Sequence, residues 1–177
     1  NLLPDNRQIR ERIQRRFQTA GLGAFDLLAE IGRDCVGALQ LLPEGQSPAD
    51  LRRITAEPLS RDEVARLLRR TVEAFPDRET AADDTFRISL AGAQEKTALL
   101  YRNQVWHRPT HATPTTHILK LPLGMNPHGL DLTTSVVNEW LCSEIVRAYG
   151  LRVAPCWMES FADVNVLVVE RFDRRPA

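Results

Sequence analysis

The sequence predicts an α+β fold, in which an incomplete helical subdomain with one strand precedes a mainly antiparallel sheet with one helix. In the first half, apolar residues recur at helical spacing within residues 5–19 and 60–75. After residue 86, short runs rich in β-branched residues alternate with turn residues, a pattern typical of antiparallel strands. We therefore assign residues 1–76 to a first unit and residues 77–177 to a sheet unit.

The composition sets limits on the partners of the chain. Its 177 residues carry 23 Lys and Arg against 23 Asp and Glu, so no net charge attracts it to nucleic acid or to an anionic membrane. No apolar run approaches the roughly 20 residues that span a bilayer, and no signal-peptide pattern is present, so we predict a cytoplasmic chain with no membrane partner. Cys35, Cys142 and Cys156 form no C-x-x-C pair, which favours reduced thiols over disulfides or a metal site.

Two helices and a strand are predicted in the first 42 residues. Residues 5–19 form an amphipathic helix, with Asp5 as its N-cap and Gly21 as its stop. A second helix covers residues 25–31, and residues 35–42 form a buried strand.

A connection and a third helix follow. Residues 44–58 contain Gly, Ser and Pro without periodicity, which predicts a long loop or a boundary. Ser60 and Glu63 have the spacing of a capping box, and an apolar helical face then continues until Pro76.

The second half is predicted to contain six strands and one helix. The helix covers residues 135–149 and stops at Gly150. Arg102–Asn103 and Ala162–Asp163 are the predicted turns of two hairpins. The strands are placed at residues 86–90, 95–101, 104–107, 116–121, 156–161 and 164–170.

The two lysines mark the candidate site, because the other 21 cationic residues are arginines. Lysine offers a compact point charge where arginine offers a flat fork of donors. Small residues at positions 91–93 allow a turn before Lys96 to approach a phosphate closely, and Lys120 lies inside a short apolar run that would hold its ammonium in place. This combination indicates a nucleotide-phosphate site.

Several co-linear segments resemble the HipA-type serine/threonine kinases, which are toxins of bacterial toxin–antitoxin pairs. The matching segments are residues 1–5, 25–38, 88–100, 114–122, 138–139 and 169–175. These matches are distributed over the whole chain, so the resemblance is specific. It implies that the sheet unit is a kinase small lobe up to the hinge between the lobes.

The resemblance implies an ATP site. It places a phosphate loop over the triphosphate, and it assigns to Lys120 the strand lysine that holds the α- and β-phosphates and pairs with Glu139. Helical periodicity instead puts Glu144 near the middle of the apolar stripe, so Glu144 is the alternative partner. The loop residues are Ala91, Gly92, Ala93, Gln94, Glu95 and Lys96.

The resemblance also assigns a hinge and a modification site. Glu170, Arg171 and Phe172 correspond to the link between lobes, where main-chain groups pair with the adenine edge, although an edge strand followed by a basic loop fits the same residues. Ser89 corresponds to an autophosphorylation site that would silence the enzyme. A capping or turn hydroxyl explains Ser89 equally well.

Phosphoryl transfer needs residues that this chain lacks. A kinase uses a catalytic Asp followed five residues later by a metal-binding Asn, and no Asp here has that neighbour. The resemblance therefore implies an N-terminal fragment, inactive alone, whose absent large lobe binds Mg²⁺. It further implies an aminoacyl-tRNA synthetase as the substrate and a HipB-like antitoxin as a partner that contacts DNA. The alternative is a nucleotide- or antitoxin-binding module completed by another chain.

Overall fold

The computed structural model describes residues 2–42, 44–47, 53–72, 94–110, 113–125 and 128–174. Within these ranges the helices are α1 (Arg7–Phe17), α2 (Ala24–Ile31), α3 (Arg61–Val72) and α4 (Ser135–Ala148). The strands are β1 (Ala56–Leu59), β2 (Lys96–Arg102), β3 (Val105–Pro109), β4 (His117–Lys120), β5 (Gly124–Met125), β6 (Asp131–Leu132), β7 (Cys156–Phe161) and β8 (Val164–Glu170). The predicted α+β class is confirmed.

Six strands form one sheet in the order β1-β3-β2-β4-β8-β7, and every neighbouring pair is antiparallel. The β7–β8 hairpin has the predicted turn, with Ala162 at a positive φ of 52°. The β2–β3 turn lies one residue later than predicted, because Asn103 and Gln104 both adopt left-handed conformations, as short hairpin turns require. The predicted strand over residues 86–90 lies outside the described residues.

The helix α3 packs on one face of this sheet and forms the main core with it. Side chains alternate between faces along a strand, so Leu119 of β4 points to α3 while Lys120 points to the opposite face. Burial of one large apolar side chain stabilises the fold by roughly 1.5–3 kcal/mol. The core side chains are Leu59, Val64, Ala65, Leu67, Leu68, Leu99, Trp106, Leu119, Leu121, Phe161, Val166 and Val168.

The predicted capping box begins α3. Ser60 N–H donates to Glu63 Oε2 at 2.8 Å, and Glu63 N–H donates to Ser60 Oγ at 3.3 Å. These bonds satisfy two main-chain donors that the first helical turn leaves without partners. The predicted end at Pro76 lies outside the described residues.

The first two helices form a smaller apolar cluster around Leu3, Leu27 and Ile31. The predicted caps of α1 are wrong at both ends. Asn6 rather than Asp5 is the N-cap, since its Oδ1 accepts from Gln8 N–H at 2.8 Å. The helix ends at Gln18 in a left-handed conformation, before Gly21.

The predicted buried strand over residues 35–42 is wrong. Val36–Ala38 form a short 3₁₀ turn, in which Gly37 has a φ of 76°. Glycine adopts this left-handed conformation without the steric cost that a Cβ imposes. The turn directs Gly37 N–H to Asp173 Oδ2 at 2.9 Å, a contact across 136 residues that local patterning does not reveal.

Strand β1 was missed, because residues 44–58 carry loop-like composition. Pro58 is tolerated there because β1, among the described strands, lies at the edge of the sheet and pairs with β3 alone. Both β1 and α3 pack mainly with strands of the sheet unit. The division at residue 76 stays a prediction. Both elements precede that residue in the sequence and nevertheless pack with the sheet.

The helix α4 covers the other side of the sheet with little of its apolar surface. Its buried side chain among those described is Val136, which is 1% exposed. Three residues of the apolar stripe of α4, Val137, Leu141 and Ile145, are about half exposed. Among the described helices, none combines the length and apolar character needed to cross a bilayer.

Replacing Ser60 by Ala should lower the free energy of unfolding by about 1 kcal/mol, because the cap hydroxyl no longer accepts from Glu63 N–H. Urea denaturation of the purified chain measures this loss. Ser60→Thr is the matched control, since it retains the hydroxyl and should remain close to wild type. Equal losses in the two variants would show that the hydroxyl is not the stabilising group.

Candidate functional site

The two lysines lie side by side on adjacent strands. Lys96 at the start of β2 is the direct cross-strand partner of Lys120 at the end of β4. Burial of Lys96, followed by the positive charge of Lys120, lowers the pKa of Lys96, while Glu139 and Asp5 act in the opposite direction. This arrangement concentrates positive charge on the sheet face opposite α3. The two charges repel each other, because they lie directly opposite on neighbouring strands.

One carboxylate neutralises part of this charge. Lys120 Nζ donates to Glu139 Oε1, and Val136, one turn earlier in α4, anchors the helix on the sheet. Glu144 pairs instead with Arg147, so Glu139 is the partner of Lys120. The roles of Lys120 and Glu139 in nucleotide binding stay predictions.

The Lys120–Glu139 pair contributes little to stability. The side chains of Lys120 and Glu139 are 23% and 38% exposed, and ion pairs with comparable access to water typically contribute about 0–1 kcal/mol. Its effect is to fix the position of the Lys120 ammonium.

The side chains of Gln94 and Glu95 contact other parts of the protein. Gln94 Nε2 donates to Leu121 O at 2.7 Å, and Leu121 N–H donates to Glu95 O at 3.0 Å. The Glu95 carboxylate pairs with Arg12 of α1. These contacts join the start of β2 to the end of β4 and to the first helix. The predicted site residues outside the described ranges are Ser89, Ala91, Gly92 and Ala93.

The end of β8 leaves a main-chain carbonyl without a partner in the sheet. The register that pairs Val169 with Cys156 places Glu170 opposite Pro155, and Glu170 N–H donates to Pro155 O at 2.9 Å. Proline has no N–H, so β7 cannot donate to Glu170 C=O in return. In the described part of the chain, Phe172 N–H has no hydrogen-bond acceptor, and its ring is 87% exposed.

Partly exposed apolar side chains lie between the lysines and this strand end. Ile118 of β4 and Val169 of β8 are cross-strand partners, and Ala98 of β2 is the partner of Ile118 on the other side. By strand alternation all three lie on the lysine face, where Ile118 and Val169 are partly exposed and Ala98 is buried. Sequence reasoning missed this patch because Ile and Val in a strand are typical of core, and only their partial exposure distinguishes them here.

The side chain of Arg171 is buried rather than directed to a ligand. It is 1% exposed, and Nη1 donates to Asp34 Oδ2 at 3.1 Å and to Thr115 Oγ1 at 2.7 Å. Nε and Nη2 donate to the two oxygens of Asp173 at 3.0 and 2.9 Å. A contact between Arg171 and a nucleotide is therefore restricted to its main chain.

A second arginine completes this group of charges. Arg174 Nη2 donates to Asp34 Oδ1 at 2.5 Å, and Nη1 donates to Asp173 Oδ2 at 2.9 Å. Two guanidinium groups thus share two carboxylates, which is the arrangement that buried charges require. We call Asp34, Thr115, Arg171, Asp173 and Arg174 the hinge cluster.

The hinge cluster changes the acidity of Asp173. Burial acts to raise the pKa of Asp173, but hydrogen bonds from Arg171 and Gly37 N–H and the charges of Arg171 and Arg174 outweigh it. Together they lower the pKa from 3.8 to about 2. The Asp173 carboxylate is therefore ionised at neutral pH, where its negative charge offsets the positive charges of Arg171 and Arg174.

Comparison with known proteins gives a consistent family. The profile of the HipA-like C-terminal domain matches residues 88–177, and that of the HipA N-terminal domain matches residues 1–42. The putative kinase Y4mE of Sinorhizobium fredii is 37% identical over 171 residues, 93% of this chain and 39% of that protein. The serine/threonine-protein kinase toxin HipA of Shewanella oneidensis is 30% identical over 175 residues, 99% of this chain and 37% of that protein.

A solved structure has the same fold. In the complex of HipA, HipB and operator DNA from Shewanella oneidensis MR-1, one chain matches with a TM-score of 0.70 and 26% identity. The match covers 100% of this chain and 38% of the other. The chain thus spans about two fifths of the length of the relatives that it matches.

Selective labelling can test the charge arrangement, because a spectrum of lysine Cε carbons contains two signals. We expect the pKa of Lys96 to lie below the ordinary lysine value. The Lys120→Gln substitution should raise the pKa of Lys96 but not restore it fully, since the burial of Lys96 remains. Glu144→Gln is the control and should leave Lys96 unchanged. An unperturbed Lys96 in the wild-type chain would contradict the observed juxtaposition.

Acid titration tests the hinge cluster. Because the folded pKa of Asp173 is lowered, its stabilisation is complete above the ordinary value of 3.8 and is lost as pH falls to about 2. Urea denaturation between about pH 5 and pH 2 should therefore give a shallower pH dependence for Asp173→Asn than for wild type. Asp62→Asn, at the exposed start of α3, is the control. Identical slopes for Asp173→Asn and wild type would exclude the linkage.

Proposed function

This chain belongs to the HipA-like family, and we propose that it forms the ATP-binding small lobe of a serine/threonine protein kinase together with an attached N-terminal unit. The observation that supports this best is the pair formed by Lys120 and Glu139 beside Lys96 on one face of the sheet. The Glu139 carboxylate pairs with Lys120, while the two ammonium groups lie close enough for the charge of Lys120 to lower the pKa of Lys96. A triphosphate supplies the matching negative charge.

Each cation would have its own part in binding phosphates. The Lys120 ammonium is oriented by Glu139, so it is pre-organised to bind phosphate oxygens. Lys96 follows the predicted loop at residues 91–95, and an anion beside it would relieve its repulsion with Lys120. Phosphate binding is therefore favoured by two ammonium groups that lie next to each other.

The strand end suits an adenine base. Glu170 C=O can accept from the exocyclic amino group, and Phe172 N–H, two residues later, can donate to a ring nitrogen. Pro155 keeps the Glu170 carbonyl unpaired within the sheet. Ile118 and Val169 offer an apolar surface on the same face, which a flat base can cover.

Phosphoryl transfer is assigned to the complete kinase and not to these residues. No Asp in the sequence is followed five residues later by Asn, and the described residues contain no group of three or more His, Cys, Asp or Glu that could hold a metal ion. Magnesium bound with ATP would neutralise phosphate charge. We assign its protein ligands to the part of the kinase that follows this segment, and we expect the 177-residue chain alone to bind ATP without transferring phosphate.

The partners of the complete protein are proposed from the family. The solved relative is assembled with HipB and operator DNA, which supports a HipB-like antitoxin through which DNA is contacted. The chain has no net charge, so its overall charge does not attract it to DNA, and we assign the main DNA contact to the antitoxin. An aminoacyl-tRNA synthetase is the proposed protein substrate, and Ser89, beside the phosphate loop, is the proposed site of inhibitory autophosphorylation.

Calorimetric titration of the 177-residue chain with ATP tests the site. Lys120→Ala should weaken ATP binding by about tenfold or more, because a charge-assisted contact to phosphate is lost. Lys120→Arg should also bind weakly, since a broad guanidinium does not replace a point charge between phosphate and Glu139.

Two glutamine variants of α4 distinguish a specific role of Glu139 in ATP binding from the general effect of removing one negative charge from the helix. Glu139→Gln should weaken ATP binding, because Lys120 loses the group that orients it. Glu144→Gln makes the same change at a glutamate of α4 that pairs with Arg147, and this variant should bind ATP like wild type. If the wild-type chain shows no ATP binding, or if both glutamine variants lose affinity equally, the proposed site is wrong.

A further inference from the structure

The hinge cluster joins two parts of the chain that are far apart in sequence. Asp34 follows α2, whereas Arg171 and Arg174 follow β8, and both arginines donate to its carboxylate. Arg174 Nη2 also donates to Cys35 O at 2.8 Å. The segment after α2 therefore holds the residues that come directly after the sheet.

The same cluster surrounds the main-chain groups assigned to adenine. Arg171 lies between Glu170 and Phe172, and its N–H donates to Thr116 O at 2.9 Å. Its side chain is fixed by Asp34 on one side and by Asp173 on the other. Rotation of the peptides at residues 170–172 would therefore break several buried charge-assisted bonds at once.

We propose that Asp34 is a positioning residue for nucleotide binding, which fixes the main chain of residues 170–172 through Arg171 and Arg174. In this arrangement the N-terminal unit sets the direction in which Glu170 C=O and Phe172 N–H point. Asp34 itself makes no contact with the nucleotide. The inference rests on the proposed function, since it concerns the adenine part of the same site.

The cluster should affect the base and the phosphates differently. Lys96 and Lys120 are held by β2, β4 and α4, none of which contributes a residue to the hinge cluster. A disturbed hinge should therefore weaken contacts to adenine while phosphate contacts persist. A change that merely unfolds the protein would weaken both.

Binding of ATP and of inorganic tripolyphosphate to the 177-residue chain separates these cases. Asp34→Asn should weaken ATP binding by about tenfold, the effect of about one lost hydrogen bond, and should leave tripolyphosphate binding within about twofold of wild type. Lys120→Ala should weaken both ligands. Asp163→Asn, which removes an exposed carboxylate paired with Arg69, is the matched control and should weaken neither.

A milder variant protects the test against misfolding. Thr115→Val removes the hydroxyl that accepts from Arg171 and donates to Asp34 at 2.6 Å, while it preserves shape and charge. It should show the same selective loss of ATP affinity in smaller degree, and Asp34→Glu should recover part of the wild-type affinity. Equal loss of both ligands, or unchanged ATP affinity in both Asp34→Asn and Thr115→Val, would overturn the inference.

Hydrogen exchange of the free protein distinguishes failure of the inference from failure of the proposed function. Asp34→Asn should accelerate exchange of the Arg171 and Gly37 amides, which donate to Thr116 O and Asp173. Faster exchange without any ATP binding by the wild-type chain would reject the proposed function while the hinge coupling stands. Unchanged exchange in Asp34→Asn would reject the coupling, whether or not ATP binds.

Discussion

The buried guanidinium of Arg171 constrains how the two ends of the chain meet. A cation without access to water needs carboxylates and carbonyl or hydroxyl oxygens at hydrogen-bond distance. Arg171 obtains them from Asp34 after α2, from Thr115 before β4 and from Asp173 in its own turn. Because removal of one partner from such a buried pair typically costs about 3–5 kcal/mol, this group of contacts fixes the N-terminal segment against the end of the sheet.

The two faces of the sheet have different physical roles. The face toward α3 contains the continuous apolar core, from Val64 and Leu68 of the helix to Phe161 and Val168 of the sheet. The opposite face keeps Lys96 and Lys120 adjacent despite their mutual repulsion. Burial on the first face supplies the stability that allows unfavourable charge on the second, which agrees with the tendency of binding sites to depart from the most stable arrangement.

Main-chain chemistry determines the edge of the proposed site. Pro155 occupies the position from which a strand residue would donate to Glu170 C=O, and its missing N–H leaves that carbonyl available. An unpaired carbonyl at a strand end would otherwise be a defect in the ladder. The carbonyl lies beside the partly exposed Ile118 and Val169, so in the proposed site a flat base with donors on its edge would satisfy the carbonyl and cover the apolar surface.

Local patterns in the sequence determined most of the elements, because helix spacing, the Ser60–Glu63 capping box and β-branched runs act over a few residues. The segment match likewise identified Glu139, against a periodicity that favoured Glu144. Only the tertiary structure decided that the apolar stripe of α4 is about half exposed, that Val36–Ala38 form a 3₁₀ turn where a strand was predicted, and that Arg171 is buried. Each of these depends on contacts between distant residues, such as Gly37 with Asp173 and Asp34 with Arg174. No local preference encodes such contacts, since their free energy exists only after the chain has folded around them.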